Sequence, residues 1–270
     1  MTATHETPTS TPAAPTLLGR RAASAVVIRA LAEQSWAAQR SPLARVLGLN
    51  PLAKDARSWY AGALGELRIG ARLEHLGPEW TVLHSVPVGR GESDIDHIVI
   101  GPTGVFTLNT KHHDDAKIWI GERSLMVNGQ KTQYLRNARS ERDGAAKRLA
   151  EALGAEVPVY SAIVIVGAKE WTFRQQPEGV AVLRESELLR WLRKRRPTSI
   201  DAPAVAAAAA RPGTWHERGV DVLVEADPHA FAELRAQVNR AAAVRGFWML
   251  AILAGAVWGA VSMIVPSLGG

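Results

Sequence analysis

The longest uninterrupted apolar pattern in the chain runs from Phe247 to Val265, FWMLAILAGAVWGAVSMIV, without a charge. A helix of that length crosses the hydrocarbon core of a bilayer, so a transmembrane helix is expected over 246–266. The alternative is a helix buried inside a soluble protein. Phe247 and Trp248 fall where aromatic side chains sit at headgroup level. Gly255 and Gly259 form a GxxxG pair, which offers a close seat for a second copy of the helix and hence a homodimer. Arg235, Arg240 and Arg245 precede the apolar run and no charge follows it. The positive-inside bias then predicts a single-pass protein of the cell membrane with its large N-terminal part in the cytoplasm.

Upstream the pattern alternates between helical and strand periods. Leu64, Leu67, Ala71 and Leu76 recur near helical spacing and predict a helix over 62–76. Strands are expected over 80–88, 95–100 and 105–111, the last two joined by the turn Gly101-Pro102-Thr103-Gly104. A hairpin is expected over 117–127, turning near 121–124. The long, charged, Ala-rich stretch 130–153 reads as a helix. Residues 157–166 are nearly all apolar and β-branched, the pattern of a buried central strand. A short strand at 180–183 and a helix over 185–195 with Leu188, Leu189, Trp191 and Leu192 inward complete the pattern. Together these predict an α/β (α+β) fold, a mixed sheet flanked by helices.

The remaining segments frame this domain. Residues 1–16, rich in Thr, Pro and Ala, read as a disordered arm without the marks of a secretory signal. Residues 17–52 suit one or two basic helices, with Val26, Val27, Ala30, Leu31 and Ala38 on one face. Such a helix either packs on the main domain or lies on anionic lipid. The main domain is expected over 55–196, a Pro- and Ala-rich linker or extension over 197–226, and a juxtamembrane helix over 227–245. Asp227 is its expected N-cap and Pro228 its first residue.

Composition narrows the chemistry. The 270 residues include no cysteine, which excludes disulfides, thiolate zinc sites and cysteine nucleophiles. A net charge of +6 suits nucleic acid or an anionic membrane surface without separating the two. The stretch that can carry chemistry is Asp94 to Lys111, DIDHIVIGPTGVFTLNTK. Residues two apart on a strand share a face, so Asp94 pairs with Asp96 and Asn109 with Lys111. A hairpin turning at 102–104 brings the two pairs to one end of a sheet, and Glu66 on the preceding helix is placed to add a carboxylate. His97 points to the opposite face and reads as structural. Hard oxygen ligands of this kind suit Mg2+ or Mn2+ held against a phosphodiester. The lysine is placed to orient water or stabilise a developing oxyanion. The following His112-His113-Asp114-Asp115 reads either as a polar loop or as a site for a softer metal such as manganese or zinc. The basic helix end with Arg193 and Arg195 suits nucleic-acid phosphates or lipid headgroups.

Several of these pieces occur together in a known order: Gly65-Glu66 on the first helix, Asp96-His97 opening a strand, Gly101-Pro102 with Gly104-Val105-Phe106 across the turn, and Thr110-Lys111 closing the hairpin. In this the chain resembles the nuclease-related (NERD) domain, a relative of the PD-(D/E)xK restriction-endonuclease-like fold, over roughly 61–195. The resemblance implies a metal-dependent nuclease site in which Glu66 and Asp96 are acidic ligands and Lys111 is the catalytic lysine. It matches Gln133 to a polar position at the start of the next helix. The family pattern has a glutamate two residues before the lysine, where this chain has Asn109. An amide offers an oxygen but no charge, so two readings stand. One is a membrane-anchored nuclease acting on DNA or RNA; the other is a degenerate module that binds nucleic acid or a protein at the membrane.

Overall fold

The computed structural model describes residues 16–37, 40–91, 93–195, 197–219 and 223–264, with side chains described as far as 260. The chain divides into two compact units. One comprises residues 64–224 and the segment up to 24, the other 25–63 and 225 onward. The expected disordered arm lies outside the described residues, apart from Thr16.

The larger unit is a mixed α/β structure with two sheets, where one sheet was expected. The first contains β1 (Thr81–Pro87), β2 (Asp94–Gly101), β3 (Gly104–His112), β7 (Val159–Val166) and β9 (Ala181–Arg184), in that order. Neighbouring strands are antiparallel from β1 to β3 and parallel from β3 through β7 to β9. The second sheet has the order β6-β5-β4-β8: β4 (Lys117–Gly121) and β5 (Ser124–Val127) form the expected hairpin, with β6 (Gln130–Lys131) and β8 (Glu170–Phe173) outside them. The sequence reading missed β8, a four-residue strand with Glu170, Thr172 and Phe173 exposed, which carries no buried-strand pattern.

The stretch 130–153 needs a correction at its start. Asn128 and Gly129 both adopt positive φ, 51° and 80°, between the paired residues Val127 and Gln130. That is a two-residue turn of the type Asn-Gly favours. It diverts Gln130 and Lys131 into β6, so the helix α4 starts only at Tyr134 and runs to Leu153. The helix expected over 62–76 is α3 (Ala56–Leu73), and the expected 185–195 helix is a 3-10 turn followed by α5 (Leu188–Arg193).

The expected linker is folded in its described part. It forms α6 (Ala202–Ala209) and α7 (Pro212–Trp215). Val205, Ala209 and Trp215 pack with Leu83, Ile98 and Val105 of the sheet and Leu149 of α4. Trp215 is 1% exposed and its indole donates to the Ala209 carbonyl at 2.7 Å. A low-complexity alanine run hides this role because small residues let α6 approach the sheet closely. A second cluster joins Ile69 and Leu73 of α3 to Phe106, Leu108, Leu188 and Leu192. Thus α3 and α5 share a packing cluster with those strand residues, and α4 packs on β3 and β7 with Ala138 and Ala145 buried.

The smaller unit is helical, with α1 (Ser24–Ser35), α2 (Pro42–Val46), the start of α3 and α8 (Pro228–Ile264). Val27, Ala30 and Tyr60 are buried, as are Phe231 and Leu234 on α8; the Tyr60 and Phe231 rings lie 5.6 Å apart. Asp227 caps α8 as expected, its Oδ1 accepting from the amides of His229 and Ala230 at 2.8 and 3.2 Å. The juxtamembrane and apolar segments form one continuous helix. Among the described residues, this one helix is long and apolar enough to cross a membrane, with a mean hydropathy of 1.6 over an 18-residue stretch. Met249, Ile252 and Trp258 are each more than 70% exposed.

Candidate functional site

The β2–β3 ladder runs from Gly101↔Gly104 to His97↔Leu108. Beyond it the amide of Thr110 donates to Oδ2 of Asp96. A carboxylate side chain thus takes the hydrogen bond of a β3 amide at the start of β2, and Asp96 is held almost fully buried.

Glu66 reaches the same region from α3. Its neighbour Gly65 explains how: a Cβ at position 65 would lie 2.9 Å from the Cβ of His112 and 3.3 Å from a methyl carbon of Thr110. Only a residue without a side chain lets the helix lie this close to β3. Glu66 is 4% exposed, and burial first, then the charges of Asp96 and Asp94, raise its carboxyl well above the usual range. Asp94 is pushed up to about 7, first by burial and then by Asp96, against the pull of Arg20. Burial also raises Asp96, opposed by Lys111 and the Thr110 amide.

A further carboxylate joins them that the sequence reading missed. Asn109, 7% exposed, directs its amide nitrogen at both oxygens of Glu141 on α4, at 2.9 and 3.0 Å. Burial pushes Glu141 up to about 7; the Asn109 hydrogen bond opposes this, and the charge of Asp96 adds to it. A signal was present. Leu135, Ala138, Ala145 and Leu149 are the buried stripe of α4, and Glu141 sits three residues after Ala138 and four before Ala145. In a helix full of charges, the acid on the apolar stripe is the one held inside.

The result is four acids, Glu66, Asp94, Asp96 and Glu141, each feeling at least one of the others. Lys111 offsets all four, and its ammonium also lies 5.3 Å from the centre of the Tyr134 ring. Oε2 of Glu66, Oδ2 of Asp94 and Oδ1 of Asn109 are buried without a hydrogen-bond partner. Buried oxygens of this kind are costly unless protonated or met by a cation. Their chemistry fits a hard, oxygen-seeking ion such as Mg2+ or Mn2+. Among the described residues, no group of three or more His, Asp or Glu side chains is drawn together tightly enough to hold a metal as it stands.

The other singled-out residues lie elsewhere. His97 is fully buried, and its Nδ1 meets Nδ1 of His84 at 2.8 Å. Burial lowers both rings, His84 to about 4, in keeping with a structural role. His112 bonds Asp114 at 2.8 Å, while His113 stacks on Tyr134 and meets its hydroxyl at 3.0 Å. The two histidines thus engage separate partners. Gln133 is exposed, just ahead of α4, and its side chain makes no capping bond. Arg193 donates to the carbonyl of His75 at 2.7 Å, and Arg195 stacks 3.7 Å from the ring centre of Tyr160. Tyr160 is aligned with Phe106, whereas Ile165 is aligned with Lys111. Tyr160, on whose ring Arg195 stacks, is therefore five residues along β7 from the level of Lys111, roughly 16 Å. The cation-bearing cleft closer to the Lys111 end is lined by Arg184, Arg190, Lys194, Trp171, Phe173 and Trp191, with a volume of about 430 Å³.

Comparison with known families fits this geometry. Residues 61–166 match the model of the nuclease-related domain, NERD. The segment is a NERD domain. No curated protein and no solved structure matches the chain. The matched segment takes in Glu66, Asp94, Asp96, Asn109, Lys111 and Glu141. The folded stretch after β7, with β8, β9 and α5 to α7, lies beyond it.

Proposed function

We propose that the NERD domain of this chain is a metal-dependent phosphodiester hydrolase acting on nucleic acid, held by α8 at the cytoplasmic face of the cell membrane. The observation that carries this reading is the convergence on Lys111 of four acids, Glu66 and Asp96 buried and Asp94 and Glu141 half-buried, with three buried oxygens unpartnered. Asp96, Glu66 and Asp94 would hold Mg2+ or Mn2+, with the Asn109 oxygen as a neutral donor and Glu141 supplying the charge that Asn109 lacks. The ion, when bound, would neutralise the attacked phosphate and lower the pKa of a water. Lys111 would hold its ammonium toward the phosphate oxygens and stabilise the charge that develops on them. The Thr110 amide fixes Asp96, so the acid is aimed before substrate arrives. Lys111 and Gln133 would touch the nucleic-acid backbone.

Asn109 favours a second reading, a binding module that has lost cleavage, because its amide nitrogen is occupied by Glu141 and it brings no charge. Cleavage separates the two. The full chain in detergent is incubated with labelled single- and double-stranded DNA and RNA, with Mg2+, Mn2+ or chelator. Metal-dependent products lost in both Lys111→Ala and Asp96→Ala support the hydrolase. Retained binding without products from folded protein supports the module.

A further inference from the structure

The helix α2 and the turn after it form a small, internally hydrogen-bonded and outwardly apolar motif within the smaller unit. Ser41 caps α2 by accepting from the Ala44 amide at 3.2 Å, and Pro42 opens it. Its end is closed by backbone bonds from Gly48 to Arg45 and from Leu49 to Ala44. The Arg40 guanidinium donates to the carbonyls of Ala44 and Leu49 at 3.1 and 2.6 Å. These backbone groups are met from within. The large apolar side chains nevertheless point outward: Leu43 is 66% exposed, Val46 58%, Leu47 44% and Leu49 51%.

The motif is pinned to α8 where its apolar run begins. The Trp248 indole donates to the Val46 carbonyl, and Arg245 donates to the Gly48 carbonyl, both at 2.7 Å. Gly48 makes the approach feasible, since a Cβ there would lie 2.6 Å from the Ala241 carbonyl oxygen. Val46 therefore sits at the depth of Trp248, the second residue of the uncharged run, and Phe247, Met249 and Leu250 are exposed beside it. Arg45 is exposed on the same motif.

We propose that residues 41–49 are a membrane-interface foot that lies in the headgroup and upper acyl region of an anionic bilayer beside the entry point of α8. This rests on the reading of α8 as a membrane span. Aliphatic side chains held out in water forgo the favourable burial that an apolar surrounding gives them. A short element whose backbone groups are met internally, with aliphatic side chains outward and a cation at hand, suits that boundary. The foot fixes the depth of α8 by contacts outside the span itself. It gives the N-terminal segment a lipid partner through α2, where the sequence pattern had directed attention to the α1 face.

The absence of cysteine makes the test direct. Full chains carrying one cysteine, Leu47→Cys, Leu253→Cys or Lys147→Cys, are labelled with an environment-sensitive fluorophore. They are then reconstituted in vesicles of phosphatidylcholine and phosphatidylglycerol. Quenching by lipids carrying a spin label high or low on the acyl chain reads depth. Position 47 is expected to be quenched most by the shallow label, position 253 by the deep one, and position 147 by neither. Position 47 in water, or shielded but unquenched by either lipid, with position 253 in the bilayer, overturns the foot and leaves the span standing. Both positions in water overturn the span reading together with it.

Discussion

Asn109 and Glu141 form a two-pronged contact: one amide nitrogen faces both carboxylate oxygens, at 2.9 and 3.0 Å. The strand therefore supplies a neutral donor at a position where the family pattern has an acid, and the neighbouring helix supplies the acid. The structure thus places a carboxyl on α4 within hydrogen-bond reach of the position two residues before Lys111.

This arrangement makes Asn109→Glu informative. The substitution sets two carboxylates face to face and removes a hydrogen bond. In chelator the protein is expected to lose about 1–3 kcal/mol. Excess Mn2+ restores most of the loss if the acids hold the ion jointly. Glu141→Gln removes the repulsion and should leave the metal-free protein at least as stable, with weaker stabilisation by Mn2+. Thermal unfolding of the three chains with and without Mn2+ checks both statements.

The raised acids predict the pH response. An acid whose pKa is higher in the folded than in the unfolded protein binds more protons when folded. Its favourable contribution is complete below the unfolded value and is lost as pH rises through the folded one. For Asp94 and Glu141 that loss begins above the ordinary carboxylate range and is nearly complete once pH has passed about 7. His84 and His97 act in the opposite sense as pH falls below their ordinary value, so the clean window is pH 6.5 to 8. Metal-free protein should lose stability across that window, with an upper bound of about 1.4 kcal/mol per pH unit for each group. Denaturant titrations at several pH values read the slope. A flat profile in chelator contradicts the shifts.

Two glycines of α3 make a matched pair. Gly65→Ala puts a methyl 2.9 Å from the His112 side chain and should cost about 1–3 kcal/mol by overpacking. Gly62→Ala meets nothing within 4 Å and should gain about 0.5–1 kcal/mol from helix propensity. Opposite signs in chemical denaturation are the expected result; equal effects contradict the close approach of α3 to β3.

Trp215 carries the weight of the segment read as a linker. Trp215→Ala should cost about 3–5 kcal/mol, measurable by the same titration. A loss below about 1 kcal/mol would return that segment to a loose extension.

What the sequence made legible follows from which forces are local. Alternation along 94–111 and the Gly-Pro-Thr-Gly turn predicted β2, β3 and the grouping of Asp94, Asp96, Asn109 and Lys111. Side-chain parity and a tight turn need no distant partner. Glu141 and Trp215 owe their places to tertiary packing, and each lay in a stretch whose composition points elsewhere, one charged, the other alanine-rich. The Asn128-Gly129 turn was readable in principle, but the charged helix pattern after it drew Gln130 into α4. Arg193 and Arg195 were chosen for charge alone, and the fold gives them His75 and Tyr160 as neighbours.

The central claim is that the acids grouped around Lys111 hold a divalent cation. Its most direct test is a Mn2+ titration of the full chain in detergent, with free Mn2+ read by electron paramagnetic resonance, beside Asp96→Ala and Glu66→Gln. Saturable binding by the parent chain, weakened at least tenfold in both variants, is the predicted result. Equal Mn2+ uptake by parent and variants, or none by any folded chain, would contradict it.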